Sequence, residues 1–436
     1  MALKILSVDD EVDLEILLTQ YFRRKIKKGE YEFSFAHNGV EALRMLLEHP
    51  DFDIILSDIN MPEMDGLTLL SKINEMRNPA LKCIMVSAYG DMDNIRSAMN
   101  QGAFDFTTKP IDLGDLERTI EKAAEQIAFV KKAQEEHSQL ASIQNDLHVA
   151  QEIQETILPK ELPAFSEEVR RRFDLATSMK AAKYVGGDFY DYFKIDDTRL
   201  GIVIGDVSGK GVPAAIFMAI SRTILRTIAL SCPSCADCLR QTNDILSKDS
   251  VDDMFVTVFY GILDLSTGHI KYSNAGHNPP VLIHRDGKAS LLEPTGDIAL
   301  GAVPDVPYCE KETVLTPGDS LLLYTDGVTE AMSRSEELFG TARLLELCTQ
   351  ISGTLTPGIQ TPESSHAADA DNTAAADAAN TADAATPSGQ TKTVSTNPSR
   401  PTAPDLLLSG IDTSLSAFTD GAPQSDDITL LALTYK

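Results

Sequence analysis

The chain has 436 residues, enough for two or three domains at roughly 100–200 residues each. Acids outnumber bases, 65 Asp and Glu against 38 Lys and Arg, for a formal net charge of −27. Such a field repels phosphate backbones and anionic lipid heads, which argues against a nucleic-acid binder or a membrane-surface protein. No apolar run approaches the roughly 18–20 residues of a membrane helix. The N-terminus lacks a secretory pattern, and six cysteines are too sparse for a disulfide scaffold. A cytoplasmic location is the expectation.

The first stretch alternates short apolar runs with helical periods. KILSVDD, FDIILSD, KCIMVSA and FDFTTKP read as buried strands, and Leu14, Leu17, Leu18, Tyr21 and Phe22 recur at helical spacing. Alternation of this kind predicts a doubly wound parallel sheet with helices on both faces. From about Leu113 to Leu158 the sequence predicts a long helix. Ile120, Ile127, Leu140, Leu147 and Ile157 recur at near-heptad steps, which suggests a coiled-coil linker and a homodimer. Pro159 and Pro163 end it.

From Arg172 the pattern turns β-rich around one strongly helical block, GVPAAIFMAISRTILRTIAL, as an α+β domain would. Residues 354–404 are rich in Ala, Thr, Asp, Ser and Pro, with almost no large apolar side chain. They predict a disordered insertion, because they bury too little surface to offset ordering entropy. DDITLLALTY then returns to a strand pattern, so the insertion interrupts the domain.

Two sets of acids carry the chemistry. Asp9 and Asp10 end KILSVDD, Asp58 ends FDIILSD, Ser87 lies at the end of KCIMVSA and Lys109 at the end of FDFTTKP. In a doubly wound sheet these ends share one rim, where ligands bind. Three carboxylates there suit magnesium. The hydroxyl and ammonium can hold phosphoryl oxygens, with Asp58 as nucleophile for an acyl-phosphate. The strings VDDE, LSDINMPEMDG, VSAYGD and FDFTTKP resemble the receiver domain of bacterial two-component response regulators. That resemblance implies a flavodoxin-like five-stranded sheet over residues 1–125 and Asp58 as phospho-acceptor. It places magnesium among Asp9, Asp10 and Asp58, puts Ser87 and Lys109 on the phosphate, and makes Phe106 the switch aromatic. The phosphate donor would be a sensor histidine kinase or a phosphotransfer protein.

The second set lies in VGGDFYD, GDVSGKG, YTDG and SDDIT, each with an acid at or near a strand end. Four converging acids fit a two-metal hydrolase, in which paired divalent ions activate water for attack on a phosphate ester. GDVSGKG lacks the spacing of a nucleotide-binding loop. Together with AQEIQETILPKELP, NAGHNPP and IALGAVP, the four strings resemble the PPM serine/threonine phosphatases. The bacterial branch that includes the sporulation and stress-response phosphatases SpoIIE and RsbU is the nearest in pattern.

That resemblance implies a β-sandwich flanked by helices over residues 161–436, after a helical linker over 126–160. It makes Asp188, Asp206, Asp326 and Asp426 the ligands of two manganese or magnesium ions, with Asp206 bridging and the Val207 carbonyl completing one shell. Asp427 is the rival of Asp426. The branch generally lacks the phosphate-binding arginine of eukaryotic relatives. Lys180 and Lys183 lie near its place but read as solvated lysines, and His277 reads as a turn histidine. Cys232, Cys235 and Cys238, at three-residue steps, read as reduced thiols and not as a zinc or iron–sulfur site.

The expected whole is a response regulator whose Asp58 phosphorylation controls a protein phosphatase. Its substrate, by family analogy, is an anti-sigma-factor antagonist in partner switching. The alternative is a non-catalytic adaptor of the same architecture.

Overall fold

The computed structural model describes residues 2–88, 91–249, 254–355, 392–395 and 401–436. They divide into two compact units, Met1–Gln144 and Asn145–Lys436.

In the first unit, strands β1 (Leu3–Val8), β2 (Tyr31–Ala36), β3 (Ile54–Asp58), β4 (Lys82–Ala88) and β5 (Asp105–Lys109) form a parallel sheet in the order β2-β1-β3-β4-β5. The intervening helices are α1 (Val12–Tyr21), α2 (Arg23–Lys27), α3 (Gly39–Glu48), α4 (Gly66–Glu75) and α5 (Met92–Asn100). β3 is central and buried throughout, hence its apolar start Ile54–Leu56, with Ser57 and Asp58 buried at its end. Asn38 and Asp65 start α3 and α4 by accepting the N–H groups of Glu41 and Thr68.

Helix α6 (Leu113–Ile157) follows as one continuous element. Ile120 and Ile127, expected on a coiled-coil seam, are instead 0% and 3% exposed in the core of the first unit beside Leu18, Phe22 and Ile54. The start of α6 is the helix that covers one face of the parallel sheet, so its apolar stripe is spent there. Leu140 and Ile143, further along, are exposed.

The second unit begins with the end of α6, then α7 (Glu167–Arg170), β6 (Phe173–Lys180), β7 (Phe189–Lys194) and β8 (Arg199–Val207). Helices α8 (Val212–Ala229) and α9 (Cys235–Asp249) precede β9 (Val256–Asp264), β10 (His269–Ala275), β11 (Val281–Ile283), β12 (Ala289–Leu291), β13 (Lys311–Val314) and β14 (Ser320–Tyr324). Then come α10 (Asp326–Thr329), α11 (Gly340–Leu355), β15 (Lys392–Ser395), α12 (Ala403–Thr419) and β16 (Ile428–Tyr435).

One sheet has the order β13-β10-β9-β8-β7, the other β12-β11-β14-β16-β6-β15. Strand alternation sorts the residues of β16: Leu431 and Leu433 join the core shared by the two sheets. Leu430 and Ala432 pack with Leu344, Cys348, Leu408 and Ile411 of α11 and α12. α8 and α9 cover the other sheet, giving a sandwich flanked by helices.

By composition and length, α8 could cross a membrane, which corrects the expectation that no apolar run reaches that size. It carries Arg222 and Arg226, both paired with Asp191 of β7, and its buried face is a core face of this domain. Most of the expected insertion, 354–404, lies outside the described residues. Near its end, Lys392–Ser395 add a strand antiparallel to β6.

Candidate active site and receiver site

In the receiver, the parallel register carries the ends of β1, β3 and β5 to one rim. Oxygens of Asp9, Asp10 and Asp58 all lie within 4.8 Å of one another, the arrangement a hard divalent cation takes. Lys109 Nζ stands 2.8 Å from Asp58 Oδ2, 2.9 Å from Asp9 Oδ2 and 3.1 Å from Glu11 Oε1. Burial raises the Asp9 carboxyl above its ordinary range, against the pull of the Glu11 N–H and of Lys109. Burial would lower the Lys109 ammonium, but its hydrogen bonds to Asp58 and Asp9 win and raise it. Ser87 is buried near the end of β4, and Phe106 on β5 is 36% exposed.

In the second unit, β7 and β8 pair with Phe189 opposite Gly205. The antiparallel register therefore sets Asp188 beside Asp206. β14 and β16 pair with Tyr324 opposite Leu430, which sends Asp326 and the Asp426–Asp427 pair to one end of the other sheet. The four acids named from sequence thus meet where the two sheets open.

Asp206 is central to them. Burial pushes its carboxyl up to about 7, and the charges of Asp326, Asp426 and Asp427 add to this. Asp188, 2% exposed, is raised well above the ordinary range by burial and by Asp206 and Asp427. Asp326 is raised by burial, Glu330 and Asp426. Carboxylates crowded at this depth repel one another, and divalent cations between them would relieve that repulsion. The donor set is all oxygen, and the Val207 carbonyl faces Gly187 beside it. These residues fit a magnesium or manganese pair.

The two last acids differ in what they touch. Asp427 Oδ1 accepts the Ala182 N–H and Oδ2 the Gly187 N–H, each at 2.8 Å. Asp426 keeps its carboxylate toward Lys210, whose ammonium is 2.8 Å away. Two glycines make the fit possible: a methyl group on Gly186 would overlap the Asp427 carboxylate, and one on Gly327 the Asp427 carbonyl.

Several participants escaped sequence reasoning. The Thr325 hydroxyl donates to Asp188 Oδ2 at 2.7 Å and accepts the Thr429 N–H at 3.0 Å. Its only signal was its place before the acid in YTDG. Lys210 was read only as part of a failed nucleotide loop. Asp191, 1% exposed, is held by Arg222 and Arg226 at 3.0 and 2.8 Å.

His277 is buried with its Nδ1 2.9 Å from the Thr257 hydroxyl, and burial lowers it to about 4. Its N–H and carbonyl both bond the Asn274 side chain, so it belongs to a turn. Cys235 and Cys238 are buried free thiols, and burial raises both.

This geometry sets three acids and a lysine on the rim of one unit and a group of mutually interacting acids on the other. Residues 5–121 match the family model for the response regulator receiver domain, and residues 196–367 that for stage II sporulation protein E, SpoIIE. The chain joins a receiver domain to a SpoIIE-type PPM phosphatase domain. The SpoIIE match contains Asp206 and Asp326, while Asp188 and Asp426 flank it.

Among curated relatives, Protein IcfG of Synechocystis sp. is 34% identical over 231 residues, 47% of this chain and 36% of that protein. Phosphoserine phosphatase RsbU of Bacillus subtilis is 29% identical over 208 residues, 47% of this chain and 60% of that protein. The chain thus spans 36% and 60% of the length of these relatives. Among solved structures, the SiaA-PP2C domain of Pseudomonas aeruginosa is 18% identical with a TM-score of 0.48, covering 68% of this chain and 98% of that one.

Proposed function

We propose that the chain is a response regulator whose output is metal-dependent dephosphorylation of phosphoserine or phosphothreonine in a protein. The observation that carries the reading is the convergence of Asp188, Asp326 and Asp426 on Asp206. In this reading Asp188, Asp206, Asp326 and Asp426, with the Val207 carbonyl, would hold two manganese or magnesium ions. Such an ion pair supplies an activated water for attack on the phosphate ester. Asp427 orders the loop ahead of Asp188 through two backbone N–H groups. Thr325 holds Asp188 in one rotamer.

Asp58 takes the phosphoryl group from a histidine kinase or phosphotransfer protein, with magnesium among Asp9, Asp10 and Asp58. Ser87 and Lys109 contact the phosphoryl oxygens and Phe106 is the switch aromatic. The exposed Leu140 and Ile143 support pairing of α6 with a second copy. An anti-sigma-factor antagonist is the proposed substrate, by analogy alone, and the cytoplasm the proposed location.

The test is hydrolysis of an aryl phosphate and of a phosphoserine peptide with manganese, with and without acetyl phosphate. Asp206→Asn should abolish turnover, and Asp58→Ala should remove the response to acetyl phosphate. Wild-type protein that stays inactive with manganese in both states would refute the phosphatase reading.

A further inference from the structure

Near the end of α6, in the part that belongs to the second unit, Gln154 is only 7% exposed. Both ends of its carboxamide engage one residue of the loop between β6 and β7. Nε2 donates to the Gly186 carbonyl at 2.6 Å, and Oε1 accepts the Gly186 N–H at 3.1 Å. A carboxamide offers the same donor and acceptor as a peptide group, so Gln154 caps this backbone as a neighbouring strand would. Its neighbour one turn on, Leu158, is 8% exposed in the core between the sheets. Gln154 and Leu158, the residue just beyond α6, are the buried anchors of the helix end.

Gly186 has no slack. On its other side lies the Asp427 carboxylate, which leaves no room for a methyl group. The next residue, Gly187, gives its N–H to Asp427 Oδ2, and the one after is Asp188. The seat of α6 is therefore tied by two hydrogen bonds to a loop that ends, two residues later, in a buried acid of the cleft.

We infer that Gln154 is a positioning residue for the phosphatase metal site: the last turns of α6 fix Gly186, and through it the Asp188 carboxylate, so the seating of this helix sets the affinity for the divalent ions. The inference rests on the proposed reading of the acids as that metal site. Gln154 touches neither substrate nor ion. Loss of a group that orients a metal ligand typically weakens binding by about 10–100-fold.

The experiment is a manganese titration of the full chain, followed by the electron paramagnetic resonance of free Mn²⁺, with turnover measured against manganese in parallel. The variants are Gln154→Leu, which keeps volume and removes both bonds, and Gln154→Glu, which keeps shape and loses the donor to the Gly186 carbonyl. Both should weaken the Asp206-dependent binding by about 10-fold or more. Turnover at saturating manganese should stay within about twofold of wild type, a shift in metal requirement without a matching loss of kcat. If Gln154→Leu does not fold, Gln154→Glu decides. Unchanged manganese affinity in the folded variants, or lower kcat at unchanged affinity, would overturn the inference while leaving the metal site standing. If Asp206→Asn binds manganese as tightly as wild type, the metal-site reading falls and this inference with it.

Discussion

Lys210 holds its ammonium 2.8 Å from Asp426, while the adjacent Asp427 gives both carboxylate oxygens to backbone N–H groups. Two neighbouring acids in one strand lead-in therefore have different work. Asp426→Asn should weaken manganese binding by about 10-fold or more with little change in unfolding free energy. Asp427→Ala strands two N–H groups and should cost about 2–4 kcal/mol of stability. Calorimetric metal titration and urea unfolding of both variants check this. The reverse pattern would exchange the roles.

Asp206 sets a pH dependence. Its folded pKa, up to about 7, lies above the ordinary 3.8, so the metal-free folded state keeps a proton that the unfolded state releases. The stabilisation is complete below about pH 4 and is lost as pH rises through about 7. In EDTA, wild-type protein should therefore lose more stability between pH 5.5 and 7.5 than Asp206→Asn does. Manganese should restore the loss at the higher pH. Thermal unfolding at the two pH values reads this, and equal slopes for both proteins would contradict it.

At the receiver rim, the Lys109 ammonium occupies the same acids that suit magnesium. Lys109→Met removes that competing charge. Magnesium affinity, read by calorimetry, should rise several-fold, whereas labelling by acetyl phosphate should fall because a phosphoryl contact is lost. Weaker magnesium binding in the variant would count against the competition.

Asp191 pairs with both Arg222 and Arg226, the only acid to do so among the described residues, and Arg222 is 8% exposed. Asp191→Ala leaves a buried guanidinium uncompensated and should cost about 3–5 kcal/mol. The double variant Asp191→Leu with Arg222→Met should recover much of this, since no buried charge remains. Urea midpoints of the two proteins test the difference.

The receiver was legible because its signals are local. β1, β3 and β4 are apolar runs that end at or just before Asp9, Asp58 and Ser87, and a parallel sheet puts those ends and the β5 end at Lys109 on one rim. The phosphatase acids were legible as types at strand ends, but their partners depended on contacts distant in sequence. Thr325 reaches Asp188 across 137 positions, and Ala182 reaches Asp427 across 245. No periodicity encodes such pairings. Ile120 and Ile127 misled for a related reason: a stripe on a helix states that something covers it, not whether the cover is a second helix or the chain's own sheet. Gln154 was legible only as one letter of the string AQEIQETILPKELP, with no role of its own to read from it.

The position of β16 between β14 and β6 sets the order in which the phosphatase domain can be completed on the ribosome. Its neighbour β6 is the first strand of that domain to be synthesised, and β16 the last. Until β16 emerges, two strand edges of that sheet stand open where a central strand belongs, and the cleft lacks Asp426. A ribosome stalled before this strand would carry a receiver able to fold, an exposed pairing edge inviting foreign strands, and an incomplete ligand set. The four acids are thus brought together only after translation has passed β16.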